Sequence, residues 1–207
     1  MVAWEIAKKT GSDMWDEMLY MIVLNLIWLV GTVLIIPWPF VTFGLFYTVK
    51  NIGDGHGIKL GTLFSHGRQT LKPAYIWGGI NFSILVAMYF NLQFYAGIQA
   101  EWTSFLRLFL LSLGIFWGIF QLVMLALYPR LVRPSFRLAL RNAAVITGRH
   151  PLAIFTLMII VGLILGITPF FPAIPLLISF AFIALLTNNV IQILVDRRSL
   201  RGCHPRR

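Results

Sequence analysis

Residues 105–128 read FLRLFLLSLGIFWGIFQLVMLALY, an apolar run carrying one charge, Arg107. As a helix at 1.5 Å per residue it reaches about 36 Å, enough to cross roughly 30 Å of hydrocarbon. The stretch that follows, residues 128–151, is YPRLVRPSFRLALRNAAVITGRHP, where arginine recurs and no acid occurs. An apolar run leading into a basic connection marks a membrane crossing whose next loop stays in the cytoplasm, because Lys and Arg resist translocation.

Working outward, four more runs have the length and apolarity of spans: 18–36, 74–96, 152–168 and 173–195. A sixth, 40–52, is short. It follows Pro37-Trp38-Pro39, which would break any helix running into it. Its apolar part, 40–49, reaches only about 15–20 Å. Positive charge sorts the connections. Lys50, Lys59, Arg68 and Lys72 fall in 50–73. Arg130, Arg133, Arg137, Arg141 and Arg149 fall in 129–151, and Arg197, Arg198, Arg201, Arg206 and Arg207 in 196–207. The other connections carry no cation, so these three segments are predicted to be cytoplasmic, the C-terminus with them. The expected fold is an all-α polytopic membrane helix bundle of six spans, a single membrane domain over 1–207 with amphipathic basic cytoplasmic helices. If the short piece is re-entrant instead, five spans remain and the N-terminus, with Lys8 and Lys9, lies outside.

Composition agrees. The chain is 58% hydrophobic and 12% charged, too apolar for one soluble core of this size to bury. The net charge of +10 would suggest nucleic acid in a soluble protein. Here the cations sit between apolar runs, so the expected partner is the lipid bilayer and not nucleic acid. No cleavage pattern of a signal peptide follows the first run. Cys203, the lone cysteine, can form no disulfide within the chain.

Arg130, Arg133, Arg137 and Arg141 are spaced three, four and four apart, which on one helix places them within about 80°. Pro134 and Ser135 suit a helix start. The functional reading is a surface helix that docks a partner or acidic lipid headgroups; the plain one is charge that holds topology. The first basic segment pairs a Gly-rich turn, 53–57, with an amphipathic stretch from Leu60 through Leu63, Phe64 and Leu71. That turn lacks the Gly-Lys-Ser/Thr ending of a phosphate-binding loop. His56, His66, His150 and His204 lack the spacing that puts two ligands on one helix face, so no metal is expected. There is no Gly-x-Ser-x-Gly elbow and no paired carboxylate within a span, so no catalytic residue, enzymatic activity or cofactor is expected. The apolar interior does hold amides: Asn25, Asn81, Gln93, Gln121, Asn188, Asn189 and Gln192. They fit interhelical hydrogen bonds or a polar site for a neutral solute, with Gln121, Asn188 and Gln192 the candidates for such a site. Gly114 with Gly118, and Gly162 with Gly166, have the spacing that lets helices approach closely.

Three patches, in order, resemble the YesL-like family of small bacterial membrane proteins, a family of unknown function. They are the proline-led piece 37–49 with Thr42, Gly44 and Tyr47; residues 64–74, with Phe64, Arg68, Leu71 and Lys72-Pro73; and residues 127–152. In the last, Tyr128-Pro129 precedes an arginine-bearing helix running through Leu140, Asn142 and Ala143 to His150-Pro151. The chain departs from the family in its Pro-Trp-Pro turn and its arginine density. The resemblance implies a six-helix protein of the bacterial cytoplasmic membrane without established catalytic residues, often encoded beside carbohydrate-degrading enzymes and sugar importers. The expected function is therefore a non-enzymatic accessory of a carbohydrate uptake or signalling system, with membrane transporter or signalling subunits as partners. The alternative is a small transport subunit that binds a sugar or vitamin.

Overall fold

The computed structural model describes residues 10, 18–54, 60–98, 100–167, 170 and 179–202. Those residues are 90% helical and contain no strand. The helices are α1 (Met18–Val33), α2 (Trp38–Gly53), α3 (Leu60–Gln69), α4 (Leu71–Ala96), α5 (Glu101–Leu127), α6 (Phe136–Arg149), α7 (Pro151–Ile167) and α8 (Phe180–Gly202). A 3-10 turn, Tyr128–Arg130, extends α5. Lys8, Lys9, His56, Lys59, Cys203, His204, Arg206 and Arg207 lie outside the described residues, as do the side chains of Arg197, Arg198 and Arg201.

Among the described residues two helices are long and apolar enough to cross a membrane, α4 and α5 with its 3-10 extension. A third crossing is added if α6 and α7, bent by 100° at their junction, count as one broken span. Helix α1 and the apolar part of α8 fall short of that length. The fold class is thus all-α, and six full spans are more than the helix lengths alone provide.

The short proline-led segment is the centre of the molecule. Helix α2 begins earlier than the sequence suggests, because Pro37 takes the N-cap and Pro39 sits in the first turn, where its missing N–H costs nothing. At 16 residues it is about 24 Å long. Val41, Thr42, Phe43, Gly44, Leu45, Phe46, Thr48 and Val49 are all buried. A helix buried on every face needs neighbours on every face, and α2 packs against α1, α3, α4, α5 and α8. Two close approaches set this geometry. A Cβ at Gly44 would strike the carbonyl oxygen of Leu63, and one at Gly67 would meet the Phe40 ring at 2.5 Å. Glycine at both points lets α3 lie directly on α2.

Helices α4 and α5 form a hairpin that is packed at one end only. Ala74, Trp77, Gly78 and Asn81 of α4 are buried, and so are Ile119, Gln121 and residues 123–128 at the end of α5. None of residues 82–96 or 104–118 is buried. These two arms, about 22 Å long, expose Leu85, Tyr89, Phe90, Phe105, Leu108 and Phe116, and their single charge is Arg107. The connection from α1 to α2 also exposes apolar groups: Leu34, Ile35 and Ile36 are 60–74% accessible. Ile35 there has φ 60°, the left-handed region that a β-branched residue adopts only under strain.

A candidate polar and basic site where α2, α5 and α8 end

Asp54 is the hub. It ends α2, its N–H donating to the Lys50 carbonyl oxygen. Its carboxylate lies 3.4 Å from Lys50 Nζ and 3.8 Å from Arg130 Nη1. Gln192 Nε2 of α8 donates to Asp54 Oδ1 at 3.3 Å. Arg130 in turn donates through Nη2 to the backbone oxygen of Asn188 at 3.3 Å. One carboxylate therefore joins the end of α2, the end of α5 and the middle of α8. The Lys50, Asp54 and Arg130 side chains are 22%, 26% and 15% accessible, so the pairs are screened more weakly than on an open surface. Two cations on one anion leave the cluster at +1.

The position of each group follows from local structure. Lys50 and Asp54 are one helical turn apart, where side chains meet. Pro129 sits in the 3-10 turn that follows α5, and Arg130 at the end of that turn reaches Asp54 at the end of α2 and the Asn188 carbonyl oxygen of α8. Asn188 is wholly buried; its Nδ2 donates to Ala184 O at 3.1 Å, and its Oδ1 has no hydrogen-bond partner among the described residues. Next to it, buried Asn189 donates to Thr10 Oγ1 at 3.1 Å.

The structure thus gathers Arg130, Asn188 and Gln192, and separates them from the rest of the expected sites. The four arginines do not share a helix face. Ser135 is the N-cap of α6, so only Arg137 and Arg141 belong to it; Arg133 lies exposed in the preceding loop and Arg130 is drawn into the Asp54 cluster. Arg137 and Arg141 are exposed and make no ion pair among the described residues. With Ser135, Phe120, Leu138, Leu140 and Ala144 they line an open groove of about 740 Å³. Gln121 stands elsewhere. Its Oε1 accepts the buried Trp77 indole N–H at 2.8 Å, while Asn81 Oδ1 accepts from Trp117 at 3.0 Å, so these amides tie α4 to α5. Asn25 ties α1 to α8, its Oδ1 accepting the N–H groups of Phe180 and Ala181 at 3.1 Å. These are among the first N–H groups of α8, which have no acceptor within their own helix. The small-residue spacings do little: among the described residues a Cβ at Gly118, Gly162 or Gly166 would meet nothing within 4 Å, and one at Gly114 would meet the flexible end of Met88.

On α3, His66 stacks on Tyr47 with ring centroids 3.3 Å apart. Burial there lowers its pKa below the usual histidine value; a hydrogen bond with Gln69 opposes the shift and the Lys50 charge adds to it. Phe64 and Arg68 are exposed on the same helix.

Reading the sequence as spans and loops missed Asp54, which it left in a flexible Gly-rich turn. A signal was present: Asp54 is the sole acid between residues 18 and 100, and none occurs from 102 to 195. A lone carboxylate among many cations is a natural centre for their pairing. Among the described residues no three His, Cys, Asp or Glu side chains come together as a metal site would require. No family model matches the chain, and neither a curated protein nor a solved structure matches it.

Proposed function

We propose that this chain is a multi-pass protein of the bacterial cytoplasmic membrane that serves, without catalysis, as an accessory of a carbohydrate uptake or signalling assembly. The carrying observation is the split character of the molecule. Two unburied apolar arms of the α4–α5 hairpin call for lipid around them. At the opposite end, exposed Arg68, Arg133, Arg137 and Arg141 call for negative charge that the described residues do not supply. In this reading the hairpin turn at 97–100 lies outside, the basic segments lie inside, and α1, α2, α7 and α8 make up the rest of six crossings. The apolar Leu34–Ile36 tip favours a second topology, in which the α1–α2 hairpin ends inside the bilayer. A Cys at position 35 that a membrane-impermeant thiol reagent labels from outside would rule that topology out. The carbohydrate link rests on the YesL-like resemblance. Solute binding among the amides is less favoured, because Asn81 and Gln121 already bond across helices.

The docking surface in this proposal is α3, where Phe64 stands beside Arg68, together with the Arg133 loop. Photo-crosslinking residues placed at Phe64 and Arg133 in native membranes test it. The expected product is a discrete protein adduct, identified by mass spectrometry as a transporter or signalling subunit. Absence of a protein adduct at both positions, with insertion intact, refutes docking through this surface.

A further inference from the structure

We propose that the groove between α5 and α6 seats an anionic phospholipid, its phosphate held by Arg137 and Arg141 and its upper chain lying against Phe120 and Leu138. The inference rests on the membrane placement above and goes beyond it by naming the occupant.

Three observations carry it. The first is position. Burial along α5 changes abruptly at Ile119: nothing from 104 to 118 is buried, and the helix then enters the packed end of the molecule. Phe120 stands at that boundary, where the apolar arm meets the basic end and lipid headgroups would lie. The second is composition. The groove joins two guanidinium groups and the Ser135 hydroxyl to an apolar wall of Phe120, Leu138, Leu140 and Ala144. A soluble anion would have no use for that wall, and a neutral lipid no use for the arginines. An amphiphile with an anionic head uses both. The third is charge. Arg137 and Arg141 are one helical turn apart, and no acid occurs in the sequence from 102 to 195. The one acid on α5, α6 or α7 is Glu101, at the far end of α5 and some 19 residues from Phe120, so complementary charge has to come from outside these helices.

The packing supports a fixed seat. Buried Ala139 and Ala143 hold α6 against the rest of the molecule, while α7 leaves α6 at 100°. If α7 crosses the bilayer, α6 lies nearly along its surface, where an amphipathic helix with one basic face belongs.

The test uses the full chain in nanodiscs and in detergent, with phosphatidylglycerol and phosphatidylcholine as probes. Native mass spectrometry is expected to show phosphatidylglycerol retained in preference to phosphatidylcholine. The Arg137→Gln/Arg141→Gln double variant is expected to lose affinity for it about thirtyfold, as two basic groups near a membrane surface would give. Two further variants separate a seat from general surface charge. Ala144→Trp fills the groove at unchanged charge and is expected to lose the lipid; Arg133→Gln removes a cation outside the groove and is expected to keep it. Equal retention of the two lipids, equal loss in all variants, or retention by Ala144→Trp overturns the proposal. So does glycerol phosphate binding as tightly as the lipid, since the apolar wall would then contribute nothing. A photo-crosslinker at position 144 that yields a protein adduct instead of a lipid adduct also overturns it. Loss of lipid selectivity with an Arg133→Cys variant still labelled by the impermeant thiol reagent from the cytoplasmic side sinks the lipid seat alone. Labelling of that variant at position 133 from the outside sinks the membrane placement as well.

Discussion

Replacing Gly44 by alanine tests whether α2 is the packed centre of this protein or a free short span. The added methyl would overlap the Leu63 carbonyl oxygen and lie 3.0 Å from Leu63 Cγ. The first of these neighbours is backbone, so a rotamer change cannot clear it and α3 must move away from α2. Overpacking costs about 1–3 kcal/mol, and against backbone that no rotamer can clear the upper part of that range applies, about 2–3 kcal/mol, while alanine returns about 1 kcal/mol of helix propensity. The expected net loss is about 1–2 kcal/mol. For a chain of this length that lowers Tm by roughly 2–8 °C. Gly61→Ala is the matched control on α3: its Cβ would meet nothing within 4 Å, so its Tm should equal or exceed that of wild type. Thermal unfolding of both variants in one detergent, followed by far-UV circular dichroism and tryptophan fluorescence, reads the difference. If Gly44→Ala melts at or above wild type, α3 does not lie on α2 in the folded protein, and the central placement of α2 is wrong.

Two further outcomes follow from the polar groups. Asp54→Asn, Arg130→Met and the double variant form a cycle that should give a coupling energy of about 0.5–1.5 kcal/mol, between the values for open-surface and buried pairs; purely additive losses would remove Arg130 from the cluster. Because the folded-state pKa of His66 lies below its unfolded value, the unfolded chain binds more protons in that window. Stability at this position is therefore complete above about pH 6.5 and falls as pH drops through the unfolded and then the folded pKa. Tm measured at about pH 7.5 and pH 5 should show that fall in wild type and a smaller one in His66→Gln; an equal fall in both assigns it to other groups.

The candidate site could be read from sequence only in part. Arg130, Asn188 and Gln192 are visible as unusual residues, but 58 and more positions separate the arginine from the amides, and no local pattern links them. Asp54 is marked by its isolation among cations, yet its surroundings of glycine and histidine read as a loop. Its role depends on Arg130 meeting it at the end of α2, which is a long-range contact.

The sequence by itself determined that this is a helical, lipid-compatible protein, where its cations cluster, and that Ser135 suits the start of a helix. These follow from local quantities: apolar run length, charge placement and capping preference. Only the tertiary structure decided that α2 lies at the centre, that the arginines divide among a half-buried cluster, an exposed loop and an exposed groove, and that one hairpin projects unburied. The physical reason is that an apolar helix carries the same composition whether lipid or protein surrounds it. Which of the two it meets depends on where glycines such as Gly44 and Gly67 allow another helix to approach, and that is a relation between distant segments.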